Sequence, residues 1–286
     1  MSRTNIFELL KQNNNMGKDA DRLKTLLCEY HYAATAEHEN YTLFRFIDAF
    51  CFDDWTAKGR CLDLQDFFET LGIDELDYYF PREPDDLLVF IEILYNFWYL
   101  AENYISSHKA EFELYDTSDV LKTLMDECLS EYNQRAYYFP EEEKCIIAED
   151  SPQVTAAAEA TEPEIALDIV RYNHRQLTGE VAKKKAILKT LGDYLEGRKR
   201  EITDINSALY NTITGALNNL NIRHNNIARE NKSYYHEAVA DMPQEELEQH
   251  YDNLYQLILL AILEIDNVVR KREMNALIQR VSAKKS

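Results

Sequence analysis

Apolar residues recur with the period of an α-helix through a long stretch of the C-terminal half of the chain. The spacing stays close to 3.6 residues, which predicts a helix about 40 residues long. Gly192, Gly197 and Gly215 lie within this stretch, and each weakens a helix by up to about 1 kcal/mol relative to alanine. We therefore expect a bend or a break near one of these glycines. The apolar positions are Ile187, Leu188, Leu191, Leu195, Ile202, Ile205, Leu209, Ile213, Leu217 and Leu220.

A second long helix is predicted farther along the chain. Asp241-Met242-Pro243, followed by Gln244-Glu245-Glu246, is typical of a helix start, and the pattern continues to about Arg280. The middle of this helix, residues 254–263, is apolar on nearly every side and must be covered. The first long helix, the preceding domain or a second copy of the chain could cover it.

The N-terminal half is also predicted to be mainly helical. Two apolar stripes at helical spacing predict its first helices. A third helix is expected from Pro84 to Tyr104, and a fourth from a cap at Thr117-Ser118-Asp119 to about Arg135. The aromatic residues of the third helix, Tyr95, Phe97, Trp98 and Tyr99, are expected in the core, although they could also form a platform for stacking bases. The two stripes are Leu23, Leu26, Leu27, Tyr30 and Ala34, and Leu43, Phe46, Ile47 and Phe50.

Two short segments predict a small β-hairpin between the two helical halves. Residues 136–139 and 144–148 have the composition of strands, and Pro140-Glu141-Glu142-Glu143 separates them as a turn. A helix is then expected over residues 163–177, with Gly179 ending it. The fold class is therefore all-α with one small hairpin.

Charge and composition both change near residue 150. Residues 1–160 carry 33 acidic and 13 basic side chains, whereas residues 161–286 carry 18 of each. The acidic half is expected to repel a phosphate backbone, but the neutral half is not. Residues 149–163 contain two prolines and many small residues, which suits a connector or a short alanine-rich helix. We predict an acidic helical domain over residues 1–150 and a second helical domain over 151–286.

No pattern of metal, cofactor or membrane binding stands out. The five cysteines are widely spaced and form no C-x-x-C pair, which favours a reducing cytoplasm over a disulfide framework or a zinc site. His31 and His38 lack the i, i+4 spacing of a helical zinc motif. The sequence contains no Walker loop, no G-x-G-x-x-G and no G-x-S-x-G. We expect no cofactor, no metal, no signal peptide and no membrane span.

Polar and cationic residues concentrate between the two long helices. Asn218-Asn219-Leu220-Asn221-Ile222-Arg223-His224-Asn225-Asn226 forms one cluster, and Arg229 and His236 follow it. Six residues separate Arg229 from His236, and the residue after Arg229 is Glu230. Arg223 is followed by the polar His224 but has no histidine at a similar distance beyond it.

Two long helices joined by a segment with Arg, Asn and His resemble the HEPN superfamily, which includes RNase toxins and bacterial abortive-infection proteins. The resemblance covers roughly residues 163–282, through Tyr172-Asn173-His174, Lys183-Lys184-Lys185, the 218–226 cluster and Tyr251-Asp252-Asn253-Leu254-Tyr255-Gln256. It implies an all-α bundle with two long antiparallel helices, a homodimer formed through that pair, and an Arg-x4-6-His motif. It also implies RNA as a substrate, a role in phage defence, and an antitoxin or another regulatory protein as a partner.

The resemblance further implies metal-independent RNA cleavage, in which a 2′-hydroxyl attacks the adjacent phosphate. His236 would move the proton, and Arg229 or Arg223 would hold the phosphoryl oxygens. His224, Asn225 and Asn226 would contact the substrate. The alternative is that these residues only tie the loop to the helix ends, since asparagine readily caps helices and adopts left-handed turns. The protein would then be a non-catalytic interaction or regulatory protein of the same fold.

Overall fold

A computed structural model describes residues 16–73, 76 and 79–283. The described chain is mostly helical, as predicted, and carries two small sheets. Its internal contacts divide it into two compact units, one ending at Ile147 and the other beginning at Ala148. We refer to these as the N-terminal unit and the C-terminal unit.

The N-terminal unit contains five α-helices within the described residues, two short sheets and several single turns of helix. A π-helical turn, Ile47–Cys51, continues the second helix directly. The helices are α1 (Met16–Cys28), α2 (Leu43–Phe46), α3 (Leu64–Thr70), α4 (Pro84–Ser107) and α5 (Thr117–Glu131). The strands are β1 (His31–Thr35), β2 (Asn40–Thr42), β3 (Phe112–Leu114), β4 (Gln134–Phe139) and β5 (Lys144–Glu149).

The three-stranded sheet corrects one sequence prediction. The first stripe was expected to form one helix through Tyr30 and Ala34, but α1 ends at Cys28 and Ala34 lies in β1. Strand β1 is central and pairs antiparallel with both β2 and β3. Alanine has little intrinsic preference for strands, so pairing on both sides of β1, rather than local propensity, accounts for this strand.

Helix α4 is the core helix of the N-terminal unit. Its first turn has a capping box, in which Glu83 and Asp86 accept each other's backbone N–H groups. Tyr95 and Phe97 are fully buried, which confirms their predicted place in the core. Trp98 Nε1 donates to Ser118 Oγ at 2.8 Å. Tyr95 and Phe97 therefore lie in the core, whereas Trp98 and Tyr99 are partly buried and pack against it.

The predicted hairpin is confirmed, since β4 and β5 pair in a two-stranded sheet. The helix before it ends at Glu131, earlier than the predicted Arg135, because Asn133 takes a left-handed conformation (φ 53°) and β4 begins at Gln134. The Asn96 side chain of α4 fixes the edge of β5. Its Nδ2 donates to the Cys145 carbonyl at 3.0 Å, and its Oδ1 accepts from the Cys145 N–H at 2.8 Å.

The C-terminal unit is built from helices. The alanine-rich segment after the hairpin is a short helix, one of the two structures expected for it. The predicted helix over residues 163–177 ends earlier, at Tyr172, and a 3-10 turn, Arg175–Leu177, follows it. The helices are α6 (Pro152–Glu159), α7 (Pro163–Tyr172), α8 (Val181–Gly197), α9 (Lys199–Asn219), α10 (Glu237–Ala240) and α11 (Gln244–Ala283).

The long helical pattern is interrupted twice. The break between α8 and α9 follows Gly197, which confirms the predicted interruption near a glycine. A second kink lies at Asn206, where the backbone leaves the helical region (φ −150°, ψ 79°). There the Asn206 side chain accepts the Leu209 N–H at 3.0 Å and so caps the next segment. Gly192 serves packing, because a Cβ at this position would lie 2.6 Å from Leu217 Cδ1.

Most of the apolar middle of α11 is covered within its own unit, although Leu260 remains 45% exposed. Helices α6, α8 and α9 pack against α11, and Tyr251, Tyr255 and Ile258 are almost fully buried. From Val269 to Ser282, by contrast, every residue of α11 is exposed. The last part of this helix therefore extends beyond the core of the C-terminal unit.

Candidate functional site

The polar cluster lies in the loop between α9 and α10, and Asn226 organises that loop. The Asn226 side chain is completely buried. Its Oδ1 accepts from the Asn221 N–H at 2.8 Å, and its Nδ2 donates to the Tyr234 carbonyl at 2.7 Å. Asn221 itself has a left-handed backbone (φ 58°), which asparagine tolerates better than most residues. The polar atoms of Asn226 are thus directed at the loop backbone and not at solvent.

Arg223 connects the loop to the end of α8. Its guanidinium donates to the Gly192 carbonyl at 3.0 Å and forms ion pairs with Asp193 at 3.4 Å and Glu196 at 2.8 Å. The side chain is only 14% exposed. A cation at this position also suits the negative end of the α8 dipole. The carboxylates of Asp193 and Glu196 already pair with the positive charge of Arg223, which a phosphate would otherwise attract.

His224 and Asn225 flank the buried Asn226. The His224 ring stacks on Tyr234, with centroids 4.0 Å apart and an interplanar angle of 17°. Asn225 and Arg229 are exposed. No hydrogen bond or ion pair of Arg229 occurs within the part of the chain that the structure describes.

His236 lies on the surface, immediately before α10. Its N–H donates to the Asn226 carbonyl at 2.9 Å, and its Nε2 lies 3.0 Å from Asn219 Oδ1. The Asn219 amide is oriented by donation from Nδ2 to the Gly215 carbonyl at 2.8 Å. Its Oδ1 therefore accepts from His236 Nε2–H, which assigns the basic lone pair to Nδ1.

The structure brings some of the predicted site residues together and separates others. Hydrogen bonds connect Asn219, Asn226, Tyr234 and His236 into one network. No hydrogen bond links either Arg223 or Arg229 to His236 in the described chain. Arg223 is engaged with α8, and Arg229 has no hydrogen-bond or ion-pair partner among the described residues. Three of the predicted site residues, Asn225, Arg229 and His236, are exposed to solvent.

A partly buried ionic cluster in the C-terminal unit, centred on the buried Lys184, was not predicted. Lys184 Nζ lies 2.8 Å from Glu248 and 2.7 Å from Asp252, and the Tyr172 hydroxyl donates to Asp252 at 2.9 Å. Tyr172 also stacks on Tyr255 with centroids 4.1 Å apart. Four of these residues, all except Glu248, belong to segments that carried the HEPN resemblance. In sequence, Lys184 looks like one of three lysines on a solvated face, and only the fold shows that it is buried.

The pKa values in this cluster follow from its contacts. Burial lowers the pKa of Lys184, but hydrogen bonds with Asp252 and Glu248 outweigh burial and leave the pKa raised. The hydrogen bond from Lys184 holds the pKa of Glu248 below its ordinary value. Burial, followed by the nearby charge of Asp252, raises the pKa of Tyr172. The ionic forms of Lys184 and Glu248 are therefore both favoured by folding.

Neither a metal centre nor a membrane span emerges from the described residues. No group of three or more His, Cys, Asp or Glu side chains among residues 16–73, 76 and 79–283 could hold a metal ion. Within the same ranges, no helix combines the length and the apolar character needed to cross a bilayer.

Comparison of the chain with protein-family models, with curated proteins and with solved structures finds no match.

Proposed function

We propose that the chain is a non-catalytic interaction protein, in which the polar cluster of residues 218–226, including Arg223, holds the loop between α9 and α10 in place. The observation that carries this proposal is the environment of Arg223. Its guanidinium is largely buried and paired with Asp193 and Glu196. An arginine that stabilises a developing phosphoryl charge must instead present free N–H groups toward the substrate.

Asn226 supports the same proposal. Its side chain is completely buried and bonded to the backbone at Asn221 and Tyr234. These contacts give the asparagine a conformational role, as expected from the ability of asparagine side chains to bond to nearby backbone. Arg223 and Asn226, two of the residues expected to contact RNA, thus both have stabilising partners within the protein.

A metal-independent RNase of the HEPN type, acting in phage defence, is the second candidate. It is favoured by the exposure of both His236 and Arg229, and by an Nδ1 of His236 that is free to accept a proton. In that case the loop residues would support a site that those two side chains form. For either candidate we expect a cytoplasmic protein.

Cleavage of labelled total RNA in excess EDTA tests the proposal directly. Purified protein is compared with His236→Ala and Arg229→Ala, and with His31→Ala and Arg200→Ala as matched controls at exposed positions elsewhere. An interaction protein leaves the RNA intact, or gives a trace of cleavage that none of the four changes alters. Cleavage that persists in EDTA and disappears only in the His236 and Arg229 variants would overturn the proposal in favour of the RNase.

A further inference from the structure

An apolar groove lies on the surface of the N-terminal unit between α1 and α5. It has a volume of about 650 Å³. Leu26 and Leu124 form part of its floor, and Tyr30 and Val120 line it while remaining 55% and 52% exposed. Tyr30 is left at this surface because α1 ends at Cys28. A contiguous apolar patch of this kind on a surface is typical of an interaction site.

Acidic side chains dominate the charged part of the groove. Asp21, Asp119 and Glu127 line it together with a single base, Arg22, which pairs with Asp19. Lys24 pairs with Asp21. Within the described chain, Asp119 and Glu127 have no ion-pair partner. The groove therefore favours an occupant with an apolar surface and positive charge.

The end of α11 has these two properties. Met274, Leu277, Ile278 and Val281 follow the i, i+3, i+4, i+7 spacing of one helix face. All four are exposed, Met274 by 57% and Ile278 by 54%. At 100° per residue, Lys271 and Arg280 fall on opposite sides of this stripe. We call this surface the C-terminal stripe.

We infer that the groove of one molecule binds the C-terminal stripe of a second copy of the chain. This inference rests on the proposed function and deepens it by naming the partner. Laying an amphipathic helix into an apolar groove is a common mode of recognition, with anchors at this same spacing. The unpaired acids Asp119 and Glu127 would face the bases that border the stripe.

A second copy fits the groove better than an unrelated partner because both complementary surfaces belong to this chain. In a two-fold dimer each molecule would offer its stripe and receive that of the other, so the contact would form twice. Each copy of the contact then needs to supply only about half of the ~1,200–2,000 Å² that stable interfaces bury. A helix end of this kind spans roughly 20 Å at 1.5 Å per residue, enough to follow a groove between two helices.

The test uses the full chain and two variants that damage opposite halves of the contact. Leu277→Asp removes an anchor of the stripe, and Val120→Asp places a charge in the groove. Both positions are exposed, so the fold should tolerate the changes, and circular dichroism would check this. Val269→Asp is the control for the helix, since Val269 is 52% exposed but lies about 140° from Met274. Leu62→Asp is the control for the N-terminal unit.

Light scattering after gel filtration and sedimentation would report the assembly. We expect a dimer for the unchanged chain and both controls, and a dissociation constant raised roughly tenfold or more in each of the two test variants. An equimolar mixture of Leu277→Asp and Val120→Asp should form a heterodimer, because the intact groove of one can still bind the intact stripe of the other.

Other occupants would give different results, and each would overturn the inference. A monomer at all concentrations would exclude a second copy as the occupant. Dimers weakened by Leu277→Asp but not by Val120→Asp would indicate contact between two stripes. A monomer that binds vesicles of anionic phospholipid, and loses this binding with Leu277→Asp, would indicate a membrane surface. RNA cleavage that depends on His236 would refute the proposed function but would leave the molecular mass of the assembly unchanged. Failure of the proposed function can therefore be distinguished from failure of the dimer contact.

Discussion

Asn221 and Asn226 each bond to the backbone of the other. The Asn221 N–H donates to Asn226 Oδ1 at 2.8 Å, and the Asn226 N–H donates to Asn221 Oδ1 at 3.3 Å. This reciprocal pair closes the turn after α9 and satisfies two backbone donors in a buried position. The loop that carries the candidate site therefore depends on two side chains whose bonds all lie within the protein.

Replacing Asn226 with alanine should destabilise the C-terminal unit. The Asn221 N–H and the Tyr234 carbonyl would both lose their partner, at about 1–2 kcal/mol for each group. We expect the free energy of unfolding in urea to fall by roughly 2–4 kcal/mol. Asn225→Ala, at an exposed neighbouring position, should change it by less than about 0.5 kcal/mol. Equal effects of the two changes would contradict the role given to Asn226.

The two arginines of the loop should differ in their effect on stability. Arg223→Ala removes an ion pair with Glu196 and a hydrogen bond to the Gly192 carbonyl, and should cost about 1–3 kcal/mol. Arg229→Ala should cost less than about 0.5 kcal/mol because the side chain is exposed and has no described partner. Thermal unfolding of both variants beside the unchanged chain would measure the difference. A larger loss for Arg229→Ala would argue against our description of the loop.

The ion pair between Lys184 and Glu248 should make the free energy of unfolding depend on pH in the acidic range. Because the pKa of Glu248 is lowered in the folded state by its hydrogen bond with Lys184, the carboxylate stabilises the fold at pH values above its unfolded pKa, about 4.3. That contribution is lost as the pH falls through the lower, folded pKa. Glu248→Gln should therefore lower the free energy of unfolding at pH 7. Between about pH 5 and pH 3, this variant should lose less stability than the unchanged chain does.

Urea unfolding at a series of pH values would measure this effect. Glu245→Gln is the matched control, since Glu245 is an exposed carboxylate near the start of the same helix. The control should retain the pH dependence of the unchanged chain. If Glu248→Gln and Glu245→Gln gave the same curve, Glu248 would have no special part in acid unfolding.

The cysteines should differ sharply in reactivity. Burial raises the pKa of Cys51 and of Cys128 to about 12, so at pH 8 their thiolate fraction should be lower than that of an ordinary cysteine by roughly a thousandfold. Cys61 is only partly buried. Brief treatment of the folded protein with iodoacetamide, followed by peptide mass analysis, should find Cys61 modified well before Cys51 or Cys128. Urea should abolish the difference, and early modification of Cys51 would refute it.

The parts of the fold that were predictable are those with a strong local signal. The regular apolar spacing before Leu220 and the Asp-Met-Pro start before Gln244 predicted the long helices. The three glycines of the first pattern predicted a break, and the structure places it after Gly197. Strand β1 was missed because Ala33 and Ala34 carry no strand signal and the pairing with β3 is distant in sequence. Propensity cannot report such pairings.

The candidate site was less predictable than the fold. The spacing between Arg229 and His236 reports separation along the chain, but it does not report which way a side chain points. Arg223 and Lys184 both looked like accessible cations, and both are paired with carboxylates of another helix. Those partners lie far away in sequence, so only the folded chain identifies them.

The central position of β1 has a consequence for the protein during its synthesis. Strand β3 leaves the ribosome only after the whole of α4, so β1 emerges with β2 on one side and nothing on the other. Its unpaired edge exposes backbone N–H and C=O groups that can bind another extended chain. The three-stranded sheet of the N-terminal unit therefore cannot be completed until Phe112–Leu114 has been translated, and β1 keeps one open edge up to that point.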